Sequence, residues 1–416
     1  MLDLTRVARQ MQGISKHLAQ EAVASRARLE RAQTLMAEAI MSQSVLIERG
    51  QDWRDRLIFT AATPLEPLDT QIEVASPPTQ QTIVATDGSQ IAPSHHEIAY
   101  CYLLNTGRVV LHYGQSRHPL LDSLPEVFYR AEDLYGARRW GIRTEEWMGY
   151  RRTVAEIETL ADLVEQEVQP VRPVQPAQPT TPLEDERSRH PGLALVDGSL
   201  IYWFLDSLPR EAVSCILPPI LEAWERLRSF QIPLVGYVSA SRSSESLNFL
   251  RLQSCPYDFP DCVAHCENRN REPRHSSPPC QVFAPLRDVT LWSTQLEPGQ
   301  RGPLWRSSAK ILDAYGTSQA IHFCYLHVGA EIARIEFPAW VATDKALLDS
   351  ALSLILSQVQ KGYGYPVALA EAHNQAVVRG GDRKRFFAML ERQMVRAGLR
   401  NVGTSYKEAR KRGSIA

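Results

Sequence analysis

The feature that most constrains the fold of this chain is a short sequence motif that occurs twice. One apolar, β-rich run ends at Asp87-Gly88-Ser89, and a second ends at Asp197-Gly198-Ser199. Apolar runs of this length are typical of strands buried in a sheet. Asp-Gly is also a common turn signal, so both copies could be surface hairpin turns. The alternative is that two strands bring carboxylates to one place, where they would suit Mg²⁺ or Mn²⁺.

The bulk composition excludes some function classes. The chain has 416 residues, 44% of them hydrophobic and 22% charged, and its net charge is −1. Because no basic field covers the whole chain, nucleic-acid binding would need a local basic groove. No apolar run reaches the roughly 20 residues of a membrane span, and the N-terminus lacks a signal-peptide pattern. We therefore expect a cytoplasmic protein with no membrane partner.

The N-terminal part of the chain, 1–62, is predicted to form a helical segment. From Val7 to Leu46, apolar residues recur near helical spacing, with arginines on the other face. This pattern predicts a long amphipathic helix, either bent or divided into a pair. Such a helix could simply pack on the main domain, or it could mediate dimerisation or dock a partner.

Residues 80–400 are predicted to form the main domain, with alternating strands and helices. The β-rich runs Glu97–Leu104 and Arg108–Tyr113 flank Asn105-Thr106-Gly107, which predicts a hairpin. An Asp-bearing strand that continues into an antiparallel meander is, by analogy, how ribonuclease H-like folds begin. A helix that precedes the second Asp strand carries Glu156 and Glu158, which point in different directions because they are two positions apart.

The C-terminal part adds a second predicted hairpin and a buried helix. Ala320–Val328 and Ile332–Phe337 are the strands of that hairpin. The helix, Val367–Val378, contains His373, which could be a packed core histidine or a functional one. The chain then becomes basic and ends in a tail, residues 401–416, that is either a solvated surface or a phosphate contact.

Two segments of the main domain differ from their surroundings. Residues 169–191 hold six prolines and are predicted to be a disordered insertion without chemistry. Residues 255–280 form a Cys-rich excursion. Its cysteines could hold zinc or an iron–sulfur cluster, or they could be loop thiols, since their spacings match no common zinc-ribbon or ferredoxin pattern. These residues are Cys255, Cys262, Cys266 and Cys280. An odd total of seven cysteines argues against a disulfide framework.

Five segments then occur in an informative order: TDGSQIAPS, VDGSL, GQRGPLWRSS, ARIEFPAWVA and YPVALAEAH. In this order they resemble the NurA nuclease family, the DNA end-processing partner of HerA-type hexameric translocases. The resemblance runs from about Gln81 to Gly398, and the two unusual segments are similar to those of the cyanobacterial type. It implies an α/β fold with a ribonuclease H-like mixed sheet flanked by helices, preceded here by the long amphipathic helical segment.

The resemblance also implies an activity and a site. The activity is Mn²⁺- or Mg²⁺-dependent hydrolysis of DNA, as a 5′→3′ exonuclease and single-strand endonuclease in end resection and double-strand break repair. By position, Asp87 and Asp197 match metal ligands, His373 matches the catalytic histidine, which could also ligate the metal, and Tyr365 matches the aromatic residue before it. The remaining carboxylate is Glu156, with Glu158 as the alternative.

Partners follow from the same resemblance. It implies DNA ends, single-stranded DNA and a HerA-type translocase as partners, and we also expect a homodimer. With near-zero net charge, DNA retention would depend on local arginines: Arg242, Arg251, Arg301, Arg306, Arg379 and Arg383. Ser241-Arg242 stands where the family often has a lysine. One rival function is a non-catalytic DNA-binding or assembly subunit, and another is a hydrolase that acts on RNA.

Overall fold

The computed structural model describes residues 3–94, 99–167, 191–266 and 278–398. In these ranges the strands are β1 Thr63–Pro64, β2 Ile72–Glu73, β3 Gln81–Ile91, β4 Tyr102–Tyr113, β5 Leu120–Phe128, β6 Gly192–Asp197, β7 Leu234–Val238, β8 Gln300–Arg301, β9 Trp305–Arg306, β10 Ile321–His327 and β11 Ile332–Pro338. The helices are α1 Leu4–Met41, α2 Gln43–Asp52, α3 Ala131–Tyr135, α4 Thr144–Glu167, α5 Arg210–Ser229, α6 Glu245–Gln253, α7 Cys262–His265, α8 Asp288–Trp292, α9 Ala339–Ala342, α10 Lys345–Lys361, α11 Val367–Ala376 and α12 Gly380–Arg396.

The chain divides into two compact units. The first comprises Met1–Ala75 and Tyr237–Ala342, and the second comprises Ser76–Gly236 and Thr343–Ala416. Apart from Pro191, the predicted disordered insertion lies outside the described residues, and so does the predicted basic tail. None of the helices in the described ranges is long and apolar enough to cross a membrane.

The second unit contains a mixed sheet with the strand order β7-β6-β3-β4-β5, where β7 contributes residues 234–236. β3, β4 and β5 form an antiparallel meander, and β6 pairs with the other edge of β3 in parallel. The first six residues of β3 and the first five of β6 are buried, as expected for central strands covered on both faces. The predicted α/β class, with a mixed sheet flanked by helices, is therefore confirmed.

The hairpin predicted at Asn105-Thr106-Gly107 is wrong. β4 runs without a break through these residues and pairs with β3 along its length. Asn105 and Thr106 are only 8% and 3% exposed, so they do not form a surface turn. The Asn105 amide donates to the carbonyl of Ala376 at 2.7 Å, and a Cβ at position 107 would overlap the carbonyl of Ala372. These turn-like residues instead allow α11 to approach the strand closely.

Replacing Gly107 with alanine is expected to lower the free energy of unfolding by about 1–3 kcal/mol, the usual cost of overpacking. The added methyl group would collide with the α11 backbone, which cannot move aside as a flexible side chain could. Chemical denaturation of the purified variant would measure the loss. Gly136→Ala is the control, because a Cβ there meets nothing within 4 Å; equal stability of the two variants would contradict this account of Gly107.

The first unit is built around an antiparallel sheet and the N-terminal helices. β10 and β11 form the predicted hairpin, and β9 pairs with the other edge of β10. The long N-terminal helix is confirmed as a pair, α1 followed by α2. Residues of α1 from Ala32 onward and Leu46 of α2 enter a core that includes Trp292 and Trp305. The first half of α1 contributes no residue to that core.

Candidate active site

Two neighbouring strands carry the two aspartates. The parallel pairing of β3 and β6 extends to Thr86 opposite Val196, so Asp87 and Asp197 each lie one residue beyond the last pair. Residues at matching positions of adjacent strands point to the same face, and the strands are about 4.8 Å apart. Asp197 ends β6, and the chain leaves the strand through Gly198 at φ +101°. Asp87 lies inside β3, which continues to Ile91; the first Asp-Gly-Ser is therefore not a turn.

Helix α4 brings Glu156 to the same strand. The Thr86 hydroxyl donates to the backbone carbonyl of Glu156 at 2.9 Å, which anchors the helix at this point. The carboxylate lies against Gly88, where a Cβ would overlap Glu156 Oε1. Arg152, one turn earlier on α4, forms an ion pair with the same oxygen at 3.1 Å. Glycine at position 88 therefore creates the space that the carboxylate occupies.

The structure separates the two glutamates that the sequence left as alternatives. Glu158 is exposed. Partial desolvation of its carboxyl nevertheless raises the pKa of Glu158. The charges that act on Glu158 include Asp162 and Arg151 but neither of the two strand aspartates. The structure thus brings Glu156, and not Glu158, to Asp87 and Asp197.

The pKa values show how strongly the three carboxylates interact. The pKa of Glu156 is raised to about 7. Burial is the largest cause, the charges of Asp87 and Asp197 act in the same direction, and the charge of Arg152 opposes them. Burial also raises the pKa of Asp197, while a hydrogen bond from Tyr365 lowers it and the charge of Asp87 raises it. The charge of Asp87 thus disfavours ionisation of both Glu156 and Asp197, and a cation placed among the carboxylates would reverse this effect.

Helix α11 supplies the histidine. His373 Nδ1 lies 2.8 Å from Asp87 Oδ2, and its side chain is 66% exposed, so it is not a core histidine. The end of the helix is held to the sheet because Asn105 and Ser89 both donate to the carbonyl of Ala376. Just before α11, Tyr365 hydrogen-bonds the carboxylate of Asp197. All five residues predicted to be catalytic therefore lie together in the second unit.

The donor set fits a hard divalent cation. Three carboxylates and an imidazole, from β3, β6, α4 and α11, lie within electrostatic range of one another, and oxygen-rich sets of this kind suit Mg²⁺ or Mn²⁺. Within the described ranges, no three His, Cys, Asp or Glu side chains are gathered closely enough to hold an ion. Two pairs engage three of these donors: Glu156 with Arg152, and Asp87 with His373. A bound cation would compete with Arg152 for the carboxylate of Glu156.

Sequence analysis did not identify Arg152 as part of the site. Its ion pair with Glu156 follows the i, i+4 spacing that joins side chains on one helix face. The four-residue spacing between Arg152 and Glu156 could have indicated this ion pair from the sequence. Thr86 gave no comparable signal, because its contact with Glu156 joins residues 70 positions apart.

The arginines predicted to bind DNA fall into two groups. Arg301 is 4% exposed and forms an ion pair with Glu66, so it presents little surface for the predicted contact with DNA. Arg251 lies over the ring of Phe59 at 3.7 Å and is partly buried. The others present more of their surface to solvent: Arg242, Arg306 and Arg379 are exposed, and Arg383 is partly exposed. The four cysteines of the excursion lie in the first unit and line one small cavity.

Fold and site together define an α/β protein whose mixed sheet carries a cluster of carboxylates and a histidine. A family model described as the NurA domain matches residues 81–378. Since the match covers more than half of the chain, the protein belongs to the NurA family. A search of the solved structures finds the NurA nuclease from Sulfolobus solfataricus, with 11% sequence identity and a TM-score of 0.48, covering 95% of this chain and 98% of that one. None of the curated proteins matches this chain.

Proposed function

We propose that the protein is a metal-dependent nuclease that hydrolyses phosphodiester bonds in DNA. The observation that carries the proposal is the electrostatic interaction among Asp87, Glu156, Asp197 and His373 in the second unit. Their residue types are those of phosphodiester hydrolysis, in which carboxylates hold cations and a histidine moves protons. Membership of the NurA family supports the same activity.

Each residue has a distinct proposed role. Asp87, Glu156 and Asp197 would hold Mn²⁺ or Mg²⁺, which, when bound, activates water and stabilises the leaving oxygen of the phosphodiester. Asp87 orients His373 through Nδ1, and the other ring nitrogen, Nε2, would transfer a proton to or from the reacting groups. The hydroxyl of Tyr365 holds the carboxylate of Asp197 in place. We further propose 5′→3′ exonuclease and single-strand endonuclease activity in end resection and double-strand break repair.

End-labelled linear DNA tests the activity. Duplex and single-stranded substrates, labelled at either end, would be incubated with protein treated with a chelator and then supplied with Mn²⁺ or Mg²⁺. We expect no cleavage without a cation and shortened products when one is restored. An RNA strand of the same sequence tests the rival substrate. DNA binding without cleavage at any cation concentration would instead indicate a non-catalytic subunit.

We also propose that the first half of α1 mediates assembly as a homodimer. Leu4, Met11, Ile14 and Leu18 are 69%, 55%, 52% and 60% exposed. Their spacings of seven, three and four residues place them in one stripe, as in a helix that pairs with another helix. Exposed apolar stripes on a helix of this length are typical of interaction surfaces. A HerA-type translocase is the proposed further partner of the assembled nuclease.

The double substitution Met11→Glu and Ile14→Glu is expected to convert a dimer into a monomer, because it places charges in the apolar stripe. Light scattering coupled to gel filtration would measure the mass. Val45→Glu is the matched control, since Val45 is also 60% exposed but lies on α2. If the wild-type chain is monomeric at all accessible concentrations, or if both variants behave alike, the stripe does not carry the dimer.

A further inference from the structure

Four of the seven cysteines line a single cavity in the first unit. They are Cys255, Cys262, Cys266 and Cys280, and none of these four forms a disulfide. Three of them are nearly buried, at 5%, 4% and 5% exposure for Cys262, Cys266 and Cys280. The first and last stand at opposite ends of the excursion, so their meeting follows from the folding of the segment rather than from adjacency in sequence.

Ordinary core packing does not account for this grouping. A buried thiol commonly behaves as a small hydrophobic group, but the large apolar side chains of the segment do not join a core around it. Phe259 is 60% exposed and Val263 is 36% exposed. Polar contacts hold the segment in place instead. Arg56 forms an ion pair with Asp261 at 2.6 Å, and Arg49 donates to the carbonyl of Tyr257 at 3.3 Å.

A positively charged group lies beside the sulfurs. The guanidinium of Arg251 lies 3.5 Å from the sulfur of Cys280. Four thiolates around a divalent cation carry excess negative charge, and Arg251 would offset part of it.

We propose that Cys255, Cys262, Cys266 and Cys280 bind one Zn²⁺ ion as a closed, four-thiolate structural site. Four sulfur ligands in tetrahedral geometry, with Zn–S distances of about 2.3 Å, are typical of structural zinc. On binding, each thiol releases its proton to solvent and forms one bond to the ion, without any change in oxidation state. The sulfurs are not yet gathered around one point in the described structure, so they must close inward around the ion.

The cavity among the four cysteines is small. Its volume is about 10 Å³, which is about the space of one water-sized sphere and is enough for one ion. Cys255 lies two residues after the end of α6, so the ion would tie the end of this helix to the segment that follows.

The test uses the full-length protein, purified without chelator, and measures its bound metals by mass spectrometry. We expect one zinc ion per chain, released when a mercurial reagent modifies the thiols. Substitution by cobalt should give the visible absorption of a tetrahedral thiolate complex. Zinc held instead at the carboxylate cluster would be lost in an Asp87→Asn variant, so undiminished zinc in that variant separates the two sites.

Cys262→Ser and Cys280→Ser are expected to lose the zinc, whereas Cys215→Ser is the control, because Cys215 is exposed and lies outside the cavity. If the serine variants do not fold, the wild-type protein still decides the matter: removal of zinc should lower its thermal midpoint, and zinc should restore it. Folded protein without bound metal would overturn the proposal. So would iron with sulfide, or disulfides among the four cysteines.

Discussion

The variant Glu156→Gln should cleave DNA about a thousandfold more slowly than the wild-type protein, while Glu158→Gln should retain wild-type activity. A catalytic metal contributes several kcal/mol to transition-state stabilisation, and a factor of ten in rate corresponds to about 1.4 kcal/mol. Of the two glutamates, only Glu156 interacts electrostatically with both strand aspartates. Rates would be measured on end-labelled DNA at a saturating concentration of Mn²⁺.

The same substitution should not destabilise the metal-free protein. Burial and two nearby aspartates raise the pKa of Glu156 to about 7 from 4.5, so the folded state favours the protonated, neutral carboxyl. That contribution to stability is fully present below about pH 4.5 and is lost as the pH rises through about 7. Glutamine stays neutral throughout. We therefore expect the wild-type protein to lose stability relative to Glu156→Gln as the pH rises across this range.

Denaturation with urea at several pH values, in the presence of a chelator, would measure this difference. Glu158→Gln is again the matched control, because Glu158 is exposed on the same helix. Full activity in Glu156→Gln, together with a loss in Glu158→Gln, would reverse the assignment of the third carboxylate. A large loss of stability in Glu156→Gln at pH 7 would show that the ion pair with Arg152 outweighs the cost of burying the charge.

Gly88→Ala is expected to cause the second large effect, a loss of metal-dependent activity with little loss of folding stability. The new methyl group would overlap Glu156 Oε1 and the side chain of Arg152. Both are parts of flexible side chains, so they can move away without disturbing the backbone. The carboxylate would then leave its place beside Gly88, and metal affinity should fall. Isothermal titration with Mn²⁺ and the cleavage assay would measure the two losses.

Gly149→Ala is the control for this experiment. It lies on α4, the helix that carries Glu156, and a Cβ there meets nothing within 4 Å. Alanine inside a helix is favoured over glycine by about 1 kcal/mol, so this variant should be slightly more stable and fully active. If Gly88→Ala bound metal as tightly as the wild-type protein, the space beside Gly88 would not be essential to the site.

The sequence was sufficient to predict the kinds of element that form the site, but not how they pair. The two apolar runs that end in Asp-Gly-Ser were correctly predicted as strands, because their composition is typical of buried strands. Nothing in the sequence showed that the strands are neighbours, in a register that places Asp87 beside Asp197. Helical spacing showed that Glu156 and Glu158 point about 200° apart. Which of them faces the sheet depends on how the helix packs.

Two expectations that the structure does not support concern residues whose contacts lie far away in the sequence. Asn105-Thr106-Gly107 has the composition of a turn, but its small and polar residues serve the packing of α11, which comes much later in the chain. Tertiary packing overrode local preference at this point. Arg301 was predicted to be a surface cation, but its guanidinium pairs with Glu66. Such a pairing, across 235 positions, leaves no local sign in the sequence.

The contacts of strand β3 limit which mutations the site can tolerate. Four consecutive residues of the strand each contact another contributor: Thr86 and Gly88 contact Glu156, Asp87 contacts His373, and Ser89 contacts the end of α11. Moving the strand by a single position would send the side chains of Thr86, Asp87 and Ser89 to the opposite face, and a side chain would occupy the space that Gly88 leaves for Glu156. An insertion or deletion between β3 residues should therefore abolish the site as a whole, whereas substitutions in the surrounding helices can adjust one contributor at a time.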